Sequence, residues 1–255
     1  MTLQKNRRIE IVIPDAGPLI SLARADALDT LLVFKDDVSL VITDFVEFEV
    51  TRNRDKHPDA QRICEFLTRY AGIIEIQETS IGKTMKQMVQ MRELFEENER
   101  FRQMMISNKT EPPPVPKDIG ELSIVSFANE MITTPPGIPV LILAEDDFFL
   151  HSGAAIPGNA HILSTRAFLE TLYELGKIPG ANAIWEAIQR ERPGVNRDRV
   201  DRQAGKINTD WQSAIDSEKA RSVEKKTSKQ EERLGSETAR HTESTKYFIF
   251  FTPHS

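Results

Sequence analysis

The 255-residue chain has a single cysteine, Cys64. One thiol excludes an intramolecular disulfide framework and a Cys-rich zinc site, and it fits a reducing compartment. Cys64 lies in the apolar-patterned stretch ICEFL and is expected to be a small buried hydrophobe. Long apolar runs are missing as well. The basic start, MTLQKNRRIEIVIP, leads into an apolar run too short for a signal-peptide core, and no segment approaches the roughly twenty apolar residues of a spanning helix. A soluble, cytoplasmic protein with no membrane contact is the expectation. Excess positive charge is also lacking, since the formal net charge is -6. Holding nucleic acid by bulk charge needs clustered Lys and Arg, so any such contact must be local or metal-mediated. There is no internal repeat.

What is present is a hydrophobic fraction of 39%, enough for one sizeable core plus additions. Residues 9–13 (IEIVI) form a short β-branched run ending at Pro14-Asp15-Ala16-Gly17-Pro18, which reads as a buried strand followed by a loop. Residues 19–32 space apolar side chains at helical intervals, with a break at Ala25-Asp26-Ala27. Further strands are expected at 39–42 (SLVI), 73–76 (IIEI), 140–143 (VLIL) and, more weakly, 160–163. Helices are expected at DFVEFEV, capped by Thr43 or Asp44, at 60–70 with Ile63, Phe66 and Leu67 on one face, at 118–131, and at 165–175 before Gly176. Strands alternating with helices are the unit of a parallel sheet.

Residues 82–105 contain strong helix formers with an incomplete apolar stripe of Met85, Met88, Leu94, Phe95 and Phe101, read as one long inserted helix that packs on the domain or meets a partner. The proline-rich TEPPPVP at 110–116 must be a loop. Beyond Pro193 the composition shifts. Residues 197–246 carry about 12 basic and about 10 acidic groups with few large apolar ones, which leaves the remainder near -8 and marks a disordered or exposed helical tail. The closing KYFIFFTPHS is abruptly aromatic, and no physical account of it follows. The expected organisation is a domain at 1–180, with 82–116 inserted, and a charged extension at 181–255.

Three strand ends deliver acids: Asp15 after IEIVI, Glu49 in the helix after SLVI, and Asp146 after VLIL. Ligands of open parallel sheets bind beyond the carboxyl ends of the strands, so these positions can converge. Glu121 opens the helix after the proline loop, and Gly120 before it permits close backbone approach. Four neighbouring carboxylates repel one another unless protons or cations neutralise them. Mg2+ or Mn2+, which prefer oxygen ligands, suit such a ring and could activate water against phosphorus. Bland readings stand beside each acid. Asp15 could be a turn residue, Glu49 competes with Asp44 and Glu47, Glu121 could serve the helix dipole or a capping box with Asp118, and Asp146 could cap a helix. Ser21 and Thr43 could orient ligands or bond local backbone, and His151 reads as a surface or capping histidine.

The segments PDAGPLISLA (14–23), VITDFVEFEV (41–50), DIGELSIVSFA (118–128) and LILAEDDFFLHSGA (141–154) resemble four successive motifs of PIN domains, over roughly residues 9–176. They are most similar to a prokaryotic branch with a DAGPLI opening and an Asp-Asp pair after the fourth strand. The resemblance implies a three-layer α/β/α fold with a central parallel sheet of four or five strands. It also implies a metal-dependent endoribonuclease, often the toxin of a toxin-antitoxin pair. Asp15, Glu49, Glu121 and Asp146 match the family's acids, with Asp147 an adjacent or supporting ligand. Expected partners are an RNA substrate, an antitoxin protein and a second copy of the chain. His151 departs from the pattern, standing where relatives commonly have Arg. That departure and the negative body keep an alternative open, a weakly catalytic or inactive PIN-like interaction module in plasmid maintenance or regulation.

Overall fold

The computed structural model describes residues 11–133, 139–146, 148–151 and 160–193. Five short strands, β1 (Ile11–Pro14), β2 (Ser39–Thr43), β3 (Ile74–Gln77), β4 (Val140–Leu143) and β5 (Ala160–Leu163), form one sheet in the order β3-β2-β1-β4-β5. Every pairing is parallel. Helices flank the sheet in the expected three-layer α/β/α arrangement. β1, β2 and β4 are nearly continuous runs of Ile, Val and Leu because parallel strands covered on both faces have no solvated side to alternate with, whereas the edge strand β3 leaves Glu75 and Ile76 exposed. β1 and β4 are buried throughout, and Ile13, Ile142 and Leu143 are fully enclosed.

Strand order dictates where a site can form. From β1 the chain runs outward to β2 and β3, then crosses back to lay β4 on the other side of β1. Neighbouring connections thus depart in opposite directions from the β1–β4 seam, and the crevice left at the carboxyl ends is the place where such sheets bind ligands. The Asp15 amide donates to the Leu143 carbonyl at 2.9 Å, so the ends of β1 and β4 are held in register.

Several local expectations are corrected. The loop expected at 14–18 is instead the end of β1 and the first turn of α1 (Ala16–Arg24), because Pro18 falls where a helix needs no amide donor. After α1 the break at Asp26, with φ 54°, leads to a single 3-10 turn, Leu28–Leu32. Helices α2 (Asp44–Thr51) and α3 (Pro58–Arg69) follow β2, and α3 packs on α1. Cys64 on α3 is only half-buried.

The single inserted helix is two, α4 (Ser80–Glu97) and α5 (Glu99–Ser107). Asn98 breaks them: its backbone is extended, and its side chain accepts from the Phe101 amide at 3.1 Å, as a short polar side chain does when it competes for backbone groups. The stripe differs too, because Val89 and Phe95 are buried whereas Leu94 is 46% exposed. Val89 joins Phe45 and Ile119 in a small separate core. Asp44, itself buried, accepts from the Thr79 amide at 3.1 Å and hydroxyl at 2.9 Å and pairs with Lys86 at 3.2 Å, which fixes the base of the inserted arm to α2.

After the proline segment, α6 (Ile119–Thr133) begins, followed beyond β4 by the short α7 (Phe148–His151) and beyond β5 by α8 (Thr165–Glu174). The expected boundary at residue 180 falls inside packed structure. A ninth helix, α9 (Ala181–Glu191), rests on α1 and α8 and encloses Ile188 in the main core, because Ile184, Trp185 and Ile188 share one face. The charged and aromatic segments from residue 194 onward lie outside the described residues. Among the described residues no helix is long and apolar enough to cross a membrane.

Candidate metal centre

Asp15 stands between β1 and α1 with an extended backbone and 4% exposure. Its carboxyl makes no side-chain cap of α1, although the Ala16 amide bonds it and favours its charged form. Glu121 occupies the first turn of α6, and Asp146 follows β4. One carboxylate oxygen from each of Asp15, Glu121 and Asp146 lies within 4.8 Å of the others. The crevice at the β1–β4 seam thus holds three acids that are 106 and 25 residues apart along the chain. Asp146 also serves as a cap, accepting from the Phe148 amide at 3.0 Å. Its two readings are compatible, since one oxygen can cap while the other faces Asp15 and Glu121.

Electrostatics mark the cluster as unstable when every member is charged. Burial pushes the Asp15 carboxyl well above the ordinary carboxylate range, and repulsion from Glu121, Asp146 and Glu49 adds to this against the opposing Ala16 amide. Burial likewise raises Glu121, to about 7, helped by a shared hydrogen bond and repulsion with Asp146. Both groups would keep protons that isolated carboxylates release.

Glu49 falls outside the close trio and is solvent-exposed, yet it borders it. A β-carbon at Gly120 would lie 3.1 Å from Glu49 Oε2 and 3.7 Å from Asp15 Oδ1. Protein displacing water from one side of the Glu49 carboxyl raises its proton affinity, Arg52 opposes that, and Asp146 adds to it. A side chain at Gly120 would therefore crowd the Glu49 carboxylate, in keeping with its position before Glu121. The first turn of α6 is pinned by a relay: Ser123 Oγ donates to the Gly120 carbonyl at 2.6 Å, so the Thr43 hydroxyl, 2.6 Å away, must donate to Ser123. Thr43 thus positions the glycine that makes room for the acids. Asp44, a rival to Glu49, is committed to Thr79 and Lys86, and Glu47 to Thr51. Asp118 has φ 58°, a strained value for a residue with a side chain, and its carbonyl accepts from the Leu122 amide at 3.0 Å. Asp147 and the His151 side chain lie outside the described residues.

One element of the site is not legible from motif spacing. Glu145 is buried, and it receives the Thr165 hydroxyl at 2.7 Å and Arg192 at 2.9 Å. Arg192 simultaneously donates to the Gly17 carbonyl at 3.1 Å and to Ser21 Oγ at 2.9 Å. A guanidinium from the far end of α9 thereby joins the start of α1 to the end of β4, immediately beside Asp15 and Asp146. Ser21 belongs to this brace.

No family model, curated protein or solved structure matches this chain. The site is therefore read on its own chemistry. Among the described residues the three carboxylates meet with no imidazole or thiol, a hard, oxygen-only donor set that fits Mg2+ or Mn2+ better than zinc. A cleft of about 330 Å³ adjoins the trio, lined by Glu49 and Glu121 on one side and by residues of α2, α4 and the proline segment on the others.

Proposed function

We propose that this chain is a metal-dependent phosphodiester hydrolase of PIN type that cuts RNA endonucleolytically, with Mg2+ or Mn2+ held by Asp15, Glu121 and Asp146. The observation that carries the proposal is the meeting of these three carboxylates within 4.8 Å at the carboxyl ends of β1 and β4. RNA as the substrate rests on the motif resemblance. When bound, a divalent ion supplies the positive charge that allows neighbouring carboxylates to ionise together, lowers the pKa of water and stabilises charge on a departing oxygen. Asp15 and Glu121 release the protons they retain without it. Glu49, at the margin of the trio, takes the proton of the attacking water. The water oxygen bonds to phosphorus, the bond from phosphorus to the departing ribose oxygen breaks, and that oxygen leaves protonated from solvent.

The test pairs calorimetry with cleavage. Wild-type protein should bind Mn2+ and cut a labelled RNA only in its presence, and Asp15→Ala or Asp146→Ala should lose both properties while unfolding cooperatively. Metal-dependent cleavage that persists in both variants would sink the assignment.

A second reading, an interaction module with little catalysis, draws on the arm, where Met91, Leu94, Met104 and Ile106 are 47%, 46%, 50% and 57% exposed. An antitoxin or a second copy of the chain would be its partner. Failure to bind Mn2+ at millimolar concentration favours that reading, since a scaffold needs no filled site.

A further inference from the structure

The cleft beside the acid trio has a composition that the trio itself does not require. Its walls carry two cations, Arg52 from the end of α2 and Lys117 from the proline segment, in a protein whose net charge is -6. Lys117 is exposed and makes no ion pair among the described residues, while Arg52, its side chain 37% exposed, reaches Glu93 at a loose 3.4 Å and lies over the Phe48 ring at 5.7 Å. Lys117 is thus uncommitted among the described residues, and Arg52 is held only by loose surface contacts. Phe45, Val89, Val115 and Ile119 also line the cleft, together with the carboxylates of Glu49, Asp118 and Glu121.

Three of the four segments that make this cleft come from or flank the inserted arm, which is tied down at Asp44–Lys86 and again where Arg92 donates to the Pro112 carbonyl at 3.1 Å. Asp118, with its left-handed backbone, turns the chain from the proline segment into α6 at the cleft edge. The arm therefore builds a recess lined by both charged and apolar side chains and bordered by Glu49 and Glu121. A bare anion would use only the cations. A nucleotide offers a phosphate for the cations and a base and sugar for the apolar residues, and the volume lies at the lower end of the range for small-ligand sites.

We propose that this cleft is a nucleotide subsite, in which Arg52 and Lys117 contact phosphate of a single-stranded polynucleotide next to the acid trio. The choice of ligand rests on the hydrolase reading, but binding can be measured without cleavage. The experiment is fluorescence anisotropy of a labelled RNA of about ten nucleotides, titrated with the full chain in EDTA over a range of salt. Each phosphate contact to a single strand contributes about 0.7 to the slope of log K against log salt. Arg52→Gln and Lys117→Gln should each flatten the slope by about 0.7 and weaken binding several-fold at low salt. Both residues are on the surface, so the variants should keep the wild-type melting temperature. Lys35→Gln, before β2 at the amino ends of the strands, should change neither slope nor affinity.

Slopes and affinities unchanged in both cleft variants, or no RNA binding by the wild type, would overturn the subsite. Inorganic polyphosphate of matched length competing as well as the RNA would overturn the assignment of a nucleotide. Flattened slopes in a protein that never cleaves RNA with Mn2+ would uphold the subsite and refute the hydrolase reading, so the two failures are separable.

Discussion

Replacing Glu121 with glutamine should stabilise the metal-free protein, and the size of that gain should depend on pH in a specified way. Glu121 has its proton affinity raised from 4.5 to about 7 in the folded chain. Below 4.5 the group is protonated in both folded and unfolded chains, so it costs the fold nothing. Between 4.5 and 7 the folded protein holds a proton that the unfolded chain has released, and stability declines as pH rises through this window. Above it the whole penalty is present. A shift of that size corresponds to an upper bound of about 3 kcal/mol, and water reaching the half-buried side chain reduces it to about 1–3 kcal/mol. Glutamine keeps the shape and can donate to Asp146 without the charge. At the usual conversion for a chain of this length, Glu121→Gln should melt about 2–10 °C higher at about pH 8 and equal the wild type at about pH 4. Magnesium should cancel or reverse the gain, because a ligand present at a hundred times its dissociation constant stabilises the wild type by about 2.7 kcal/mol and the variant would bind it poorly. Differential scanning calorimetry at both pH values, with and without Mg2+, reads all of this. A variant no more stable than the wild type at about pH 8 without metal would refute the claim that burial and its acidic neighbours raise the proton affinity of Glu121.

Metal affinity should itself fall as pH drops through about 7, since bound protons on Asp15 and Glu121 must leave; calorimetry in buffers of different ionisation heat should count protons released on Mn2+ binding. Arg192→Met should cost about 2–4 kcal/mol in urea unfolding by removing the guanidinium that neutralises the buried Glu145 carboxylate, and adding Glu145→Gln should recover much of the loss. Gly82→Ala should destabilise by about 1–3 kcal/mol, because a methyl group would overlap the pinned Asp44 carboxylate. Gly120→Ala meets only the free end of Glu49 and should leave melting nearly unchanged while lowering Mn2+-dependent cleavage at least several-fold; unimpaired cleavage would show that close approach there is dispensable.

The centre of the sheet was legible because β1, β2 and β4 are short runs of Ile, Val and Leu with no competing helical period, and Asp15 and Asp146 were legible because each follows such a run. Glu121 could be placed from Gly-Glu at a helix start. Glu49 was harder, since three acids share one helix, and only side-chain partners separate Asp44 and Glu47 from it. The break at Asn98 was hidden because an Asn amid strong helix formers reads as a tolerated interior residue until its side chain is seen bonding to the Phe101 amide. Arg192 was beyond reach for a different reason. Its partners lie 47 and 175 residues away, and nothing local distinguishes it from the other arginines around it.

That long reach has a bearing on when the protein becomes complete during synthesis. Gly17 and Glu145 leave the ribosome well before Arg192, so a nascent chain carries Asp15, Glu121 and Asp146 while Glu145 still lacks its guanidinium partner. The crevice receives its last brace only after α9 has emerged and docked on α1.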